Sequence, residues 1–168
     1  MPFPALQQIP GFPMLCSLHS KDPDEETHKF PADDEILAWA CVFSKILMRC
    51  PHCHGVQLRK SKLIDFKKNG NQWWSCDSCG KQSNPEQLRK AQVVVFDLAW
   101  ITSNEKHKGE GHAKAVLEYL KTQCHRLNTQ IAASSEGGIA VCKSVGMVER
   151  GPILAWHKEG YEYAEAKQ

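Results

Sequence analysis

Eight cysteines are present in this 168-residue chain, and four of them form two close pairs, CPHC at 50–53 and CDSC at 76–79. Each pair can present two thiolates from one tight turn, and four thiolates make a closed tetrahedral site for Zn²⁺ with no open position for catalysis. The predicted metal ligands are Cys50, Cys53, Cys76 and Cys79. His52 and His54 could each replace a cysteine, but the symmetric four-cysteine site needs neither.

The residues between the two pairs predict a small β module. VQLRKSKLIDF is followed by KKNGNQ and WWSC, which indicates a hairpin that turns at the Asn-Gly pair of 69–70. Gly55 and Gly80 follow the cysteine pairs, where such turns often need a positive φ. The layout is that of a zinc ribbon.

Basic side chains lie on the predicted hairpin beside two tryptophans, a combination that suits phosphate contact together with base stacking. The residues concerned are Arg59, Lys60, Lys62, Lys67, Lys68, Trp73 and Trp74. The alternative is an ordinary solvated surface, with one tryptophan packed on the metal turn. A net charge of +2 and a pI of about 8.1 are far from the strongly basic balance of an obligate nucleic-acid binder.

A second chemical signal is the segment KGEGHAKAVLEYL, which begins at Lys108. Two glycines directly before an amphipathic helix are unexpected, because glycine costs a helix roughly 1 kcal/mol relative to alanine. Between a strand and a helix, glycines let the backbone approach a ligand, and the first N–H groups of the helix can then hold a phosphate. The spacing is neither the dinucleotide fingerprint G-x-G-x-x-G nor a Walker loop.

The elements around this turn predict an α/β layer, because helices and strands alternate from Pro85 onward. The predicted order is a helical turn PEQLRK, a strand AQVVVFDLAWI, a helix over 111–127, a strand TQIAAS, a helix EGGIAVCKSVG and a strand GPILAWH. Before the cysteines, DDEILAWACVFSKILMR has apolar residues at helical spacing and predicts a further helix over 33–48. The predicted domains are 1–48 (leader, acidic linker and helix), 49–84 (zinc ribbon) and 85–168 (an acyl-CoA-binding α/β domain).

The glycine turn and its flanking elements resemble the C-terminal half of the GNAT (Gcn5-related) N-acetyltransferases over residues 91–157. Lys108 to Ala113 is similar to the family's acetyl-CoA signature Q/R-x-x-G-x-G/A, with lysine in the first position. VVVFDLAWITS looks like the family's fourth strand, and AVCKSVGM looks like its LYEKLGF phrase. The resemblance implies a mixed sheet with flanking helices that splays to admit acetyl-CoA.

The resemblance also implies the roles of individual residues. Cofactor contacts fall on Trp100, Ile101, Thr102, Lys108, Gly109, Glu110, Gly111, His112 and Ala113. Asp97 stands where the family often carries an acidic base, and Cys142 stands where it often has a tyrosine as general acid. Each has a structural alternative, a hydrogen-bonded aspartate and a small core residue. Ser134 and Ser135 could orient substrate or water, or could cap the next helix.

The leading functional prediction is an acetyl-CoA-dependent N-acetyltransferase that transfers the acetyl group directly to an amine, with the ribbon aiding substrate recognition. One alternative is a DNA base-modifying enzyme on the same scaffold, as in phage acyltransferase-like proteins. The other is a non-catalytic zinc-ribbon regulator that binds nucleic acid. An exposed sheet edge would favour a homodimer.

Composition also bears on location. No run of about 18 apolar residues is present, so no membrane span is expected. The apolar N-terminus lacks a charged segment and is interrupted by prolines, which makes a poor signal peptide. The unpaired cysteines lie among apolar neighbours, a usage typical of a reducing compartment. The sequence therefore predicts a cytoplasmic protein without a membrane partner, whose residues 22–35 form an acidic linker.

Overall fold

The computed structural model describes residues 7–8, 14–19, 37–65 and 71–163. In chain order the elements are β1 (Gln7–Gln8), β2 (Met14–His19), β3 (Ala38–Leu47), β4 (Leu58–Asp65), β5 (Asn71–Cys76), β6 (Gln82–Ser83), α1 (Pro85–Lys90), β7 (Val93–Ser103), a 3-10 helix (Glu105–His107), α2 (His112–Gln123), β8 (Arg126–Gln130), α3 (Glu136–Ser144), β9 (Val148–Arg150) and β10 (Ile153–His157). The described residues divide into two compact units. The first contains those up to Lys45 and Val95–Glu162, and the second contains Ile46–Val94 and Tyr163.

Seven of the described strands form one mixed sheet in the order β1-β2-β3-β7-β8-β10-β9. The pairs β2–β3 and β7–β8 are parallel, whereas β10 is antiparallel to both β8 and β9. The N–H of Asn104 donates to the carbonyl of Leu37 at 2.8 Å, and Lys45 forms an ion pair with Asp97. The start of β3 therefore lies beside the end of β7, and these two strands run antiparallel. The predicted mixed α/β class is confirmed.

The core of the first unit is formed by the sheet and α2. The helix buries Val116, Leu117 and Leu120 on one stripe, as the sequence predicts. It contacts β8 and α3. On its half-buried edge, Lys121 donates from Nζ to the carbonyl of Val145 at 2.8 Å and stands 5.0 Å from the ring centroid of Trp156. The Lys121 side chain thus links α2 to the end of α3 and to β10.

The prediction of a helix over 33–48 is wrong for the part that the structure describes, because Ala38–Leu47 is a strand. Ala38 to Val42 are all buried, a run that requires burial on both faces and is typical of a central strand. A short apolar run fits helical spacing as well as a two-sided strand, so period alone does not separate them. Residues 33–36 lie outside the described residues.

Two further boundaries differ from the prediction. The helix expected over 111–127 ends at Gln123, because Cys124 is extended with φ −139° and ψ 170°. The strand expected at TQIAAS instead spans Arg126–Gln130, where Leu127 and Thr129 are buried. The elements α1, β7, α3 and β10 lie within two residues of their predicted places. Strands β1, β2, β6 and β9 were not predicted.

The second unit contains a three-stranded antiparallel sheet in the order β4-β5-β6. The hairpin predicted between the cysteine pairs is β4–β5, and its turn at 69–70 lies outside the described residues. Helix α1 follows, and Asn84 caps it in a reciprocal capping box with Gln87. Arg49 donates from Nε to the carbonyl of Ala91 at 3.0 Å, which ties the start of the unit to the end of α1.

Candidate functional site

The four predicted metal ligands converge in the second unit. The Sγ atoms of Cys50 and Cys79 are 3.7 Å apart, those of Cys53 and Cys76 are 3.5 Å apart, and all four lie within 4.8 Å of one another. A tetrahedral site with zinc–sulfur bonds of about 2.3 Å separates its sulfurs by about 3.8 Å. A disulfide would need about 2.05 Å, and the cysteines are free thiols. The cluster can therefore hold a metal ion.

The turns around this cluster direct backbone N–H groups at the sulfurs. His52 donates to the sulfur of Cys50, and Gly55 donates to that of Cys53, both at 3.4 Å. Burial opposes ionisation of Cys76, but N–H donors from Cys79 and Ser78, with the thiols of Cys53 and Cys50, lower its pKa to about 7. The N–H of Gly55 acts to lower the pKa of Cys53, but burial and hydrogen bonds to the other three thiols raise it instead. Backbone N–H donors stabilise thiolates, which are the form that binds a metal.

The predicted positive φ after each cysteine pair is found at Gly80 but not at Gly55. Gly80 has φ 74°, whereas in the first turn the left-handed residue is His54, with φ 62°. Gly55 is needed for space instead, because a Cβ there would lie 2.9 Å from Oγ of Ser78. The sequence CPHCH places a histidine where the second turn has glycine. Neither His52 nor His54 belongs to the group of possible metal ligands formed by the described residues.

The residues predicted to contact nucleic acid are partly engaged within the unit. Arg59 forms a 2.9 Å ion pair with Asp77, while Lys60 and Lys62 are exposed. Trp73 and Trp74 are half-buried on β5. Lys67 and Lys68 lie outside the described residues.

In the first unit, β7 and β8 form a fork. Their parallel ladder runs from Val95 opposite Arg126 to Leu98 opposite Thr129, but β7 continues to Ser103. The chain that follows β8 stays beside the start of β10 instead of continuing along β7, since the N–H of Ile131 donates to the carbonyl of Pro152 at 3.0 Å.

Two cavities open along this fork. The larger has a volume of about 560 Å³ and is lined by Ile101, Thr102, Ser103, Glu105, Lys108, Gly109, Ala113, Ser135, Glu136, Gly137, Gly138 and Val141. The smaller, of about 210 Å³, is lined by Leu98, Ala99, Trp100, Ile101, Thr129, Ala133, Ser134, Ser135, Gly138 and Cys142. They share Ile101, Ser135 and Gly138, so they adjoin. Their walls are the part of β7 beyond Leu98, where the ladder with β8 has ended, together with the glycine turn and the start of α3.

The glycine turn has the backbone that its sequence suggests. Gly109 and Gly111 have φ values of 85° and 84°, and a Cβ on either would meet nothing within 4 Å. The glycines are therefore required by conformation rather than by crowding. Gly111 is the N-cap of α2 and provides no side-chain hydrogen bond to the first turn. The N–H groups at this helix start are left without a side-chain cap and carry the positive end of the helix dipole.

Six of the nine residues predicted to contact a cofactor line these cavities. Trp100, Ile101, Thr102, Lys108, Gly109 and Ala113 do so. Gly111, Glu110 and His112 are not among the lining residues of either cavity. The side chains of Glu110 and His112 are instead hydrogen-bonded to each other, with 2.9 Å between Oε2 and Nε2.

Asp97, predicted as a general base, lies next to the fork without lining either cavity. Its carboxylate forms a 2.9 Å ion pair with Lys45 on β3 and accepts a 3.3 Å hydrogen bond from Asn128 on β8. Both contacts are cross-strand contacts within the sheet. They match the structural alternative of a hydrogen-bonded aspartate.

Ser134, Ser135 and Cys142 line the smaller cavity. Ser135 caps α3, since its Oγ accepts from the N–H of Gly138 at 3.1 Å, while Ser134 donates to the carbonyl of Gln130 at 2.7 Å. Burial raises the pKa of Cys142 to about 11. Its thiol is therefore protonated at neutral pH.

Sequence reasoning missed Thr129, which lies at the apex of the fork. Thr129 is 6% exposed, and its hydroxyl donates to the carbonyl of Leu98 at 3.0 Å, at the last rung of the ladder. A single threonine in a strand carries no distinguishing signal, because threonine is common in strands. Only the register of β7 against β8 identifies its position.

No family model matches this chain, and no curated protein matches it. No helix within the described residues is long and apolar enough to cross a membrane.

Proposed function

We propose that the protein is an acetyl-CoA-dependent N-acetyltransferase with a GNAT-like fold and a structural zinc ribbon. The observation that carries the proposal is the fork between β7 and β8, with a cavity of about 560 Å³ that reaches the uncapped start of α2. A coenzyme with a long flexible arm and a pyrophosphate needs both features, an open strand edge and an anion seat.

The anion seat is supported by backbone and charge together. The N–H groups at the start of α2 can donate to a pyrophosphate, and the helix dipole favours negative charge there. Lys108 lines the same cavity together with two acidic residues, Glu105, which is 4.0 Å from its Nζ, and Glu136. Lysine in the first position of the turn places one positive charge at this wall, and a pyrophosphate would compete with Glu105 for it.

The arm of the coenzyme has a backbone edge to follow. Beyond Leu98 the ladder with β8 has ended, so the edge of β7 along Ala99–Ser103 faces the cavities. An extended amide-containing chain can add to such an edge as a further strand would. Trp100, Ile101 and Thr102 lie on this edge.

Bound acetyl-CoA would supply an acetyl group activated as a thioester, which an amine can attack directly. On the protein side, Cys142 holds a proton on Sγ at the wall of the smaller cavity. Because burial raises its pKa to about 11, above the ordinary thiol value of about 8.5, Cys142 stays protonated at neutral pH and is a weak proton donor toward a leaving thiolate. Asp97 as general base stays a prediction, and its ion pair with Lys45 favours a structural role.

The zinc ribbon is supported by the sulfur geometry and the N–H···S contacts of the cysteine cluster. Zn²⁺ is the metal that a tetrahedral four-sulfur set favours in proteins, together with iron in iron–sulfur sites. With four protein ligands its function is to hold the turns of the second unit together, because no position is left for a substrate.

Two competing proposals are a DNA base-modifying enzyme, whose acceptor is nucleic acid, and a non-catalytic regulator, whose partner is nucleic acid. The exposed side chains of Lys60 and Lys62 support both, because they can contact phosphates. Retention on DNA that falls steeply with salt would favour these over a small-molecule or protein acetylase. The regulator alone predicts that acetyl-CoA does not bind.

Calorimetric titration with acetyl-CoA tests the proposal. The structure offers a matched pair of variants, Lys108→Ala, which removes a charge from the cavity wall, and Lys114→Ala, which removes the same charge from an exposed position in the first turn of α2. A charge-assisted contact contributes roughly 1.5–3 kcal/mol when desolvated, but the Lys108 side chain is 75% exposed, so Lys108→Ala should weaken binding by about 5- to 10-fold. Lys114→Ala should weaken it by less than about 3-fold, since an exposed charge near a helix end contributes well under 1 kcal/mol.

Absence of binding by the wild-type protein would refute the proposal. Equal losses in the two variants would show that the charge acts at long range and would remove the cavity as the binding site.

A further inference from the structure

The loop before α2 contains a second group of possible metal ligands, His107, Glu110 and His112. One carboxylate oxygen, Oε2 of Glu110, lies 3.1 Å from Nδ1 of His107 and 2.9 Å from Nε2 of His112. The two imidazole rings stand nearly perpendicular, with their centroids 6.1 Å apart and an interplanar angle of 78°. All three ligand atoms lie within 4.8 Å of one another.

We propose that His107, Glu110 and His112 form a second metal site, which binds a divalent transition metal such as Zn²⁺ through two imidazole nitrogens and one carboxylate oxygen. Two histidines and a glutamate are a frequent three-ligand set for Zn²⁺, with a water in the fourth position. The cysteine cluster assigns no role to this group, and the acetyltransferase prediction places Glu110 and His112 among the cofactor contacts without giving either side chain a metal-binding role.

The spacing of the ligands is close to what a metal requires. Bonds of about 2.0–2.1 Å at tetrahedral angles place neighbouring ligand atoms about 3.3 Å apart. The two separations from Oε2 of Glu110, 3.1 and 2.9 Å, are a few tenths of an ångström shorter, and the two nitrogens lie within 4.8 Å of each other, so side-chain rotations would admit an ion. The hydrogen bonds that join the three side chains hold their ligand atoms close to the positions that a bound ion would need.

The side chains of the group also suit a cation. When each imidazole carries its proton on the ring nitrogen away from the group, Nδ1 of His107 and Nε2 of His112 present lone pairs that a bound ion can share with Oε2 of Glu110. The Glu110 side chain is 53% exposed, whereas those of His107 and His112 are 36% and 20% exposed, so solvent can reach the fourth position.

The local backbone explains why the three ligands meet. Glu110 lies between Gly109 and Gly111, both left-handed, so the chain folds back on each side of it. His107 ends the 3-10 helix and His112 begins α2, and the carboxylate of Glu110 is held between their rings.

Metal stoichiometry tests this site independently of acetyl-CoA. The full-length protein, with its cysteine cluster first filled with one equivalent of Zn²⁺, is titrated with Zn²⁺ by calorimetry. We expect a second equivalent to bind in the wild-type protein and to be lost in Glu110→Gln and in His112→Ala. Glu105→Gln is the matched control, because it removes a carboxylate from the same loop without touching the three ligands, and it should keep the second equivalent.

Co²⁺ as the second ion gives a readout of ligand type. We expect weak visible bands of a nitrogen and oxygen site, without the intense thiolate-to-cobalt band that the cysteine cluster would give. A single equivalent in the wild-type protein would overturn the proposal, and so would a second equivalent that survives both Glu110→Gln and His112→Ala. Far-UV circular dichroism checks that each variant is folded, and Glu110→Gln keeps the size of the side chain.

Discussion

Replacing Gly111 with alanine tests whether the glycine turn is fixed by backbone conformation. Gly111 has φ 84°, and a Cβ there would meet nothing within 4 Å. A steric clash with neighbours therefore contributes nothing, and the whole cost is the strain of holding an L-residue in the left-handed region. That strain is roughly 1–2 kcal/mol.

Gly137 provides the matched control. It lies in the first turn of α3, has no positive φ, and a Cβ there would also meet nothing within 4 Å. Either substitution restricts the unfolded chain, which favours the folded state by roughly 0.4–1 kcal/mol. We therefore expect Gly137→Ala to stabilise the protein by about 0.5–1 kcal/mol, and Gly111→Ala to destabilise it by a similar amount. The difference between the two variants is the strain itself.

Urea denaturation of the zinc-loaded protein, followed by tryptophan fluorescence and far-UV circular dichroism, measures both values. Gly111→Asn should lie between wild type and Gly111→Ala, because asparagine tolerates the left-handed region better than alanine does. If both alanine variants shift the midpoint in the same direction by the same amount, the conformational argument is wrong. The turn would then owe its glycines to ligand approach alone.

Three further predictions follow from the same structure. His54→Gly should stabilise the second unit by about 1 kcal/mol, because glycine adopts the left-handed φ of 62° without strain. Gly55→Ala should destabilise the unit, because its Cβ would lie 2.9 Å from Oγ of Ser78. Thermal unfolding of the zinc form measures both, and destabilisation by His54→Gly with stabilisation by Gly55→Ala would contradict the roles assigned to the two residues. Removal of zinc by a chelator, or Cys76→Ser, should unfold the second unit, because the free energy of binding a structural zinc contributes directly to the free energy of folding. Loss of the fluorescence signal of Trp73 and Trp74 would report the unfolding, and unchanged spectra after chelation would argue against a structural metal. Burial raises the pKa of Cys41 and Cys142 to about 11, so these thiols ionise at lower pH in the unfolded chain than in the folded one. Their contribution to the free energy of unfolding is therefore complete below about pH 8.5 and decreases up to about pH 11, by about 1.4 kcal/mol per pH unit for each thiol. In alkaline denaturation, Cys142→Ala should remove the share of that slope that belongs to one thiol.

The sequence predicted best where local chemistry determines structure. Cysteine spacing identified four residues that form a group able to hold a metal ion, and the glycine pair identified a left-handed turn at a helix start, because both depend on a few neighbouring residues. The segment around Ala38–Val42 failed for the opposite reason. Its buried run is a strand because β2 and β7 flank it in the sheet, and those contacts cannot be read from the segment itself.

The candidate site shows the same division. The cavity residues on β7 and the glycine turn follow each other closely in sequence, and six of the nine predicted there line the cavities. Thr129 and the Asp97–Lys45 ion pair depend on strand register, which brings together residues that are far apart in the chain. The pairing of Glu110 with two histidines was also missed, because the glycines on either side redirect its side chain.

The antiparallel arrangement of β3 and β7 has a consequence for how the gene can be edited. The unit that contains the cysteine cluster begins after Lys45 and ends before Val95, on two strands that are neighbours in the sheet. Antiparallel neighbours can be joined by a turn of two residues. The whole insert could therefore be cut out and the gap spliced with an Asn-Gly hairpin, leaving a shorter chain that retains the fork for study on its own.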